Sequence, residues 1–392
     1  MKYDFDRIIE RRRTGSLKWD YVEKLFGSSD LLPMWVADMD FQAPNPVREA
    51  LLDTAEFGIF GYTVLKPSFY DAVTGWLERR HRWKVDPEWL VFSPGIVPAV
   101  SMLIRAFTAP GEKVVIQPPV YYPFSQAVRS NERSLVTNPL KLENGTYGMD
   151  FDDLEKKVKD PGTKLLILCS PHNPVGRVWK KEEIVKLGEL CLKNDVLVIS
   201  DEIHSDLVRK GYTHVPFASI STEFAERSVT CNAGSKTFNL AGLHTSYVII
   251  PDRLLRKRFE AELKKNGILG PNAFGATALE AAYTKGGEWL DQVLEYIEAN
   301  YQFLLDFISR RIPEIKVVEL EATYLVWMDF RSLGLGAKEL EKLMQKEGKI
   351  ALDEGYIFGE GGEGFERINI ACPRTLLEDG LKRIEQAVRS CC

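Results

Sequence analysis

Five residues of unlike chemistry stand just beyond apolar runs of this chain: Gly95, Tyr121, Asn173, Asp201 and Lys236. Lysine is ordinarily solvated, so Lys236, at the end of the β-leaning run 228–233, is out of place. A partly desolvated ammonium is disfavoured, its pKa falls, and the free amine can attack a carbonyl. One such lysine proves nothing. The other four supply a carboxylate (Asp201), a neutral amide (Asn173), an aromatic face (Tyr121) and a glycine that lets backbone amides come close to a ligand (Gly95).

The elements that must position them repeat along the chain. Trp89-Leu90-Val91-Phe92 exits at Ser93-Pro94-Gly95, and Lys113-Val114-Val115-Ile116 exits into a Pro-rich turn carrying Tyr121. Leu165-Leu166-Ile167-Leu168 exits at Cys169-Ser170-Pro171-His172-Asn173-Pro174, and Val196-Leu197-Val198-Ile199-Ser200 at Asp201. Short continuous apolar runs bounded by Pro and Gly suit strands buried on both faces of a parallel sheet. Helix-like segments at 97–108, 151–159 and 181–194 alternate with them, which predicts an α/β, mostly parallel, doubly wound sheet. Ligands of such sheets bind at the carboxyl ends of the strands, where all five residues are expected.

Taken together the five suit a flat, phosphorylated aromatic aldehyde with a ring nitrogen, pyridoxal 5′-phosphate (PLP). Lys236 is then the amine that condenses with the aldehyde and later moves the substrate proton. Asp201 pairs with the ring nitrogen, Tyr121 stacks on the ring and Asn173 donates to the ring hydroxyl oxygen. Gly95 admits the amides of Ile96 and Val97 to the phosphate at a helix start, and Ser235 adds a hydroxyl. Each residue has a plainer role: Asp as a cap, Asn-Pro as a turn, Gly as a helix start. The compatible order of all five outweighs those readings.

The series Ser170-Pro171-His172-Asn173-Pro174-Val175-Gly176, Ser200-Asp201-Glu202-Ile203-His204 and Ser235-Lys236-Thr237-Phe238-Asn239 resembles fold-type-I PLP enzymes, the aspartate-aminotransferase superfamily. Met34-Trp35-Val36-Ala37-Asp38-Met39-Asp40-Phe41, Gly355-Tyr356-Ile357-Phe358-Gly359 and Phe365-Glu366-Arg367-Ile368-Asn369 resemble its C–S lyase branch, the cystathionine β-lyase group that includes cystalysin. The resemblance implies that Arg367 holds the substrate α-carboxylate, that Tyr62 reaches the phosphate of a neighbouring subunit in a homodimer with shared sites, and that Ala37 lines the substrate site. Tyr121 and Asn173 would also face the substrate. One position departs from the superfamily: His244 stands where many aminotransferases carry a phosphate-binding arginine. The branch implies β-elimination from L-cystathionine, L-cysteine or related S-substituted cysteines. An aminotransferase is the alternative, and a non-catalytic regulatory binder is disfavoured by the intact Lys236, Asp201 and Arg367.

At 392 residues the chain can bury a large core and more than one domain is expected. A net charge of −5 without a basic block argues against nucleic acid or an anionic membrane as partner. No stretch approaches the ~20 apolar residues of a membrane span, and the charged start is unlike a signal peptide. Six cysteines show neither metal-ligand nor disulfide-framework spacing, Cys391-Cys392 reads as exposed and reduced, and no metal site is expected. A cytoplasmic enzyme follows as the simplest expectation.

After about residue 285 the pattern changes to a long helix at 288–311, strands at 317–321 and 324–330, a helix at 338–346, a Gly-rich loop at 359–364, a strand at 365–371 and a helix at 376–388. The expected organisation is an N-terminal arm (1–45), a large PLP-binding domain (46–286) and a C-terminal part (287–392) that forms a smaller α+β domain with the arm.

Overall fold

The structure, a computed structural model, describes residues 2–391. Its larger sheet has seven strands: β1 Leu90–Ser93, β2 Lys113–Ile116, β3 Ser134–Thr137, β4 Thr163–Cys169, β5 Leu197–Asp201, β6 Ser228–Asn232 and β7 Ser246–Ile249. Their spatial order is β1-β7-β6-β5-β4-β2-β3. Strands β6, β5, β4, β2 and β3 pair in parallel, whereas β7 runs antiparallel to both of its neighbours.

The continuous apolar runs are explained by burial on both faces. In β4, Leu165 and Ile167 face one core cluster while Leu166 and Leu168 face another. Helix α1 (Ile96–Phe107) lends Ala99, Val100 and Leu103 to the first cluster, and α2 (Lys181–Lys193) lends Ile184 and Leu187 to the second. Each such side chain contributes about 1.5–3 kcal/mol of transfer free energy.

Beyond this sheet, helix α3 (Gly287–Arg311) leads to a four-stranded antiparallel sheet of order β8-β9-β11-β10. Its strands are β8 Lys316–Val317, β9 Leu325–Asp329, β10 Asp353–Glu354 and β11 Phe365–Asn369. Val326, Met328 and Ile368 of this sheet share one core cluster with Leu304 and Ile308 of α3 and with Leu381 and Ile384 of α4 (Arg374–Cys391). The strand expected at 317–321 is reduced to Lys316–Val317, because the chain then turns away. The amides of Glu321 and Ala322 both donate to Gly176 O at 2.9 Å, stitching this region to the turn after β4. Near the N-terminus, Leu32–Pro33 pairs in parallel with Ile350–Ala351.

Among the described residues no helix is long and apolar enough to cross a membrane. Cys169, Cys191, Cys231 and Cys372 are free and buried and Cys391 is exposed, while Cys392 lies outside the described residues.

Candidate active site

The parallel register brings three strand ends level. Asp201 of β5 pairs with Cys169 of β4 on one side and Cys231 of β6 on the other. The Asp201 carboxyl is therefore flanked by two buried thiols, groups that offer a carboxylate little stabilisation. Burial pushes its pKa up to about 7; the Ile203 amide, donating at 3.1 Å, and the Lys236 charge oppose this, and Glu202 reinforces it. No ion pair joins Asp201 to a basic side chain among the described residues. A buried carboxyl in that condition is suited to a cationic partner.

Lys236 sits on a single helical turn, Gly234–Thr237, that follows β6 after one residue. A side chain at position 234 would meet Leu279 Cδ1 at 2.6 Å, so a larger residue would have to displace that side chain for the turn to pack where it does. The Lys236 Nζ donates to Ala37 O at 2.6 Å. Burial lowers its pKa to about 8; Asp38 and Asp201 pull it upward, and Arg367 pushes it further down. The amine is thus available as a nucleophile and base near neutral pH.

At the other end of the cavity, Gly95 caps α1 with φ +152°, a conformation that L side chains rarely adopt. It offers no capping side chain, so the first amides of α1, at Ile96 and Val97, remain open to an anion, and the helix dipole favours one. Ser235 also lines the cavity.

Most of the residues expected from sequence converge. Gly95, Ile96, Val97, Ser235 and Lys236 line one cavity of about 350 Å³, and so do Ala37, Tyr121, Asn173 and Asp201. Arg367, on β11, stands just beyond this lining and is 3% exposed. Its Nη1 donates to Asn173 Oδ1 at 2.8 Å, its Nη2 to Trp35 O at 3.0 Å, and it forms a close ion pair with Asp353. Its Nε is buried without a partner. Tyr62 is not brought to this cavity: it is fully exposed on an irregular segment between two helices.

Several lining residues were given no role by the sequence. His204 follows Asp201 by three positions, is 3% exposed, and has a buried Nδ1 without a partner. Burial, with the Lys236 and Arg367 charges, lowers its pKa to about 3, so the ring is neutral. Its presence in Ser200-Asp201-Glu202-Ile203-His204 was the signal that could have found it. Tyr324, fully buried, donates to the same Ala37 carbonyl as Lys236, at 3.0 Å. Thr245 and Ser246 also line the cavity, beside His244. Thr245 precedes and Ser246 begins the antiparallel β7, so a search of carboxyl ends passes over them.

The donor set fits PLP. An amine awaits the aldehyde, a buried unpaired carboxyl the ring nitrogen, an aromatic ring the pyridine face, and a helix start with hydroxyls the phosphate. Comparisons with known proteins agree. A family model, aminotransferase class I and II, matches residues 29–384. The chain is 53% identical to cystathionine beta-lyase PatB of Bacillus subtilis over 98% of this chain and 100% of that one. Cystalysin of Treponema denticola, solved with pyridoxal 5′-phosphate, superposes with TM-score 0.97 at 40% identity, covering 100% of both chains. A PLP-bound protein of Clostridium difficile 630, provisionally named an aminotransferase, superposes with TM-score 0.97 at 48% identity over 99% of this chain and 100% of that one. With cavity, sheet and full-length likeness in agreement, the chain belongs to the class I and II aminotransferase family.

Proposed function

We propose that the protein is a PLP-dependent carbon–sulfur β-lyase. It cleaves L-cystathionine, L-cysteine or related S-substituted cysteines by α,β-elimination to pyruvate, ammonia and a thiol or sulfide. The observation that carries this reading is the full-length 53% identity to a cystathionine beta-lyase. When bound, the cofactor supplies an aldehyde for the substrate amino group and a ring that accepts electrons from Cα.

The chain's own residues take the remaining roles. Lys236, its ammonium disfavoured by burial, takes the Cα proton as its neutral amine. Asp201 keeps the ring nitrogen protonated through an ion pair in a low-dielectric setting. Tyr121, which lines the cavity, would stack on the ring face, worth about 0.5–1.5 kcal/mol beyond area burial. Asn173 accepts from Arg367 through Oδ1, which leaves its amide NH₂ to donate to the ring oxygen. The amides of Ile96 and Val97 and the Ser235 hydroxyl would hold the phosphate. Arg367 binds the substrate carboxylate, with its unpartnered Nε as one donor, while Asp353 and Asn173 fix the rest of its fork. Ala37 borders the substrate beside Lys236.

A homodimer completes this reading, with Tyr62 reaching the phosphate of the other subunit. Supporting it, Phe57, Ile59, Phe60, Tyr62 and Val64 expose a run of apolar surface that a second copy would cover. A cytoplasmic setting accompanies the proposal.

An aminotransferase would share every step up to proton removal, so products decide. Purified protein is incubated with L-cystathionine, and separately with amino acid plus 2-oxoglutarate. Pyruvate from the first and little glutamate from the second is the expected result; the reverse would make it an aminotransferase.

A further inference from the structure

Residues 34–41 form an irregular, bent segment between the two parts of the molecule, and their backbone is bonded almost continuously. Asn239, three residues after Lys236, donates through Nδ2 to Met39 O and Phe41 O at 2.8 and 3.0 Å and accepts from the Met39 amide. Asn369 of β11 donates to Val36 O and Asp38 O at 2.7 and 2.6 Å. Two carbonyls turn instead to the candidate active site: Trp35 O meets Arg367 Nη2 at 3.0 Å, and Ala37 O meets Lys236 Nζ at 2.6 Å.

The acidic side chains of the same segment engage a separate group of residues. Arg11 Nη1 and Nη2 reach Asp38 Oδ1 and Oδ2 at 3.1 and 2.8 Å, a bidentate pair, and Nη1 also reaches Asp40 Oδ1 at 2.7 Å. Lys18, only 1% exposed, binds Asp40 Oδ2 at 2.6 Å, and Trp19 Nε1 donates to Asp40 Oδ1 at 2.9 Å. Burial alone would raise the Asp40 pKa, but Lys18, Trp19 and Arg11 hold it below the usual carboxylate range. Two cations and two carboxylates thus form a balanced cluster on the acidic side chains of a segment whose Trp35 and Ala37 carbonyls meet Arg367 and Lys236.

We propose that Arg11 is a positioning residue of the active site: clasped to Asp38 and Asp40, it holds residues 35–39 so that the carbonyls of Trp35 and Ala37 meet Arg367 and Lys236. The clasp differs from an ordinary surface ion pair in two ways. It is a bidentate, partly buried network rather than one exposed pair. Its loss leaves Asp38, which directly follows Ala37, as a part-buried charge without its principal partner. Such a carboxylate moves toward water, and the adjoining carbonyl moves with it. Arg367 then loses the Trp35 contact that helps fix its fork, and the cost appears chiefly in substrate binding.

This inference rests on the lyase reading for its kinetic readout only. In the holoenzyme, Arg11→Gln should speed amide hydrogen exchange within 34–41 and raise KM for L-cystathionine about tenfold, with kcat changed less than about threefold. Bound-cofactor absorbance and the melting temperature should stay near wild type. Arg11→Lys should recover part of the KM, since it keeps the charge without the two-carboxylate fork. Unchanged exchange overturns the clasp. Faster exchange with unchanged KM overturns the positioning role, as does a lowered melting temperature with no KM change. If the wild-type enzyme releases no pyruvate, the lyase reading fails, and exchange at 34–41 alone decides whether the clasp exists.

Discussion

Lys236 and Asp201 depart from their ordinary pKa values in opposite directions and for one reason, the burial that disfavours the charged form of each. The same enclosure makes the free amine of the lysine easier to reach and leaves the aspartate ready for a cation. Lys236→Ala should abolish both the visible absorbance of bound cofactor and turnover; an unchanged spectrum would place the attachment elsewhere. Asp201→Ala should keep some cofactor bound yet lower kcat by more than tenfold, about 1.4 kcal/mol or more. A smaller loss, measured at saturating cofactor, would deny Asp201 its ring-nitrogen partner. Both residues were legible in the sequence because each is a polar residue ending an apolar run. Arg367 was not: β11 is buried throughout, and nothing in Glu366-Arg367-Ile368 distinguishes a ligand from a structural cation except likeness to a family.

At the scale of elements, the rule that ligands meet the carboxyl ends of strands found the residues after β1, β2, β4, β5 and β6. It missed Thr245 and Ser246, because β7 is antiparallel and enters the cavity by its amino end. Strand direction depends on pairing with distant chain, which local pattern does not record. The β10–β11 pair holds a second consequence of pairing: Glu354 lies opposite Glu366, and Asp353 opposite Arg367. Side chains alternate along a strand, so Arg367 pairs with Asp353 while Glu354 and Glu366 meet each other on the other face. Burial, with Glu354, Asp353 and Glu341 nearby, raises the Glu366 pKa well above normal, and Glu354 is pushed, chiefly by burial, up to about 7. A carboxyl whose folded pKa is raised stabilises the fold below its unfolded pKa, and that contribution is lost as pH rises through the folded value. Between about pH 5 and about pH 8 the cofactor-free protein should therefore lose the contribution of Glu366 and Glu354, against the opposite trend of the buried neutral His204, and Glu366→Gln should reduce that loss by at most about 1.4 kcal/mol per pH unit. Urea unfolding across that range checks it; an unaltered slope would mean that Glu366 does not take up a proton on folding.

For the whole molecule, Tyr62 is the residue that one chain does not explain, exposed in an apolar run and absent from its own cavity. If sites are shared, mixing Lys236→Ala chains with chains crippled at Tyr62 should create heterodimers with one intact site each, restoring up to about half of wild-type activity per heterodimer. No recovery, despite demonstrated subunit exchange and a strong Tyr62 defect, would leave Tyr62 a structural aromatic. The segment 34–41 has a consequence of another kind, for biosynthesis. Its Val36 carbonyl waits for the Asn369 side chain, 333 residues later. During translation Trp35 and Phe41 find Phe26 and Phe5 already made, but the Val36 and Asp38 carbonyls that seat the segment's backbone wait for Asn369 until late in synthesis. Nascent chains stalled before residue 365 should remain open to proteolysis at 34–41, whereas chains with α4 outside the ribosome should resist; equal cleavage of both would show that the segment seats without β11.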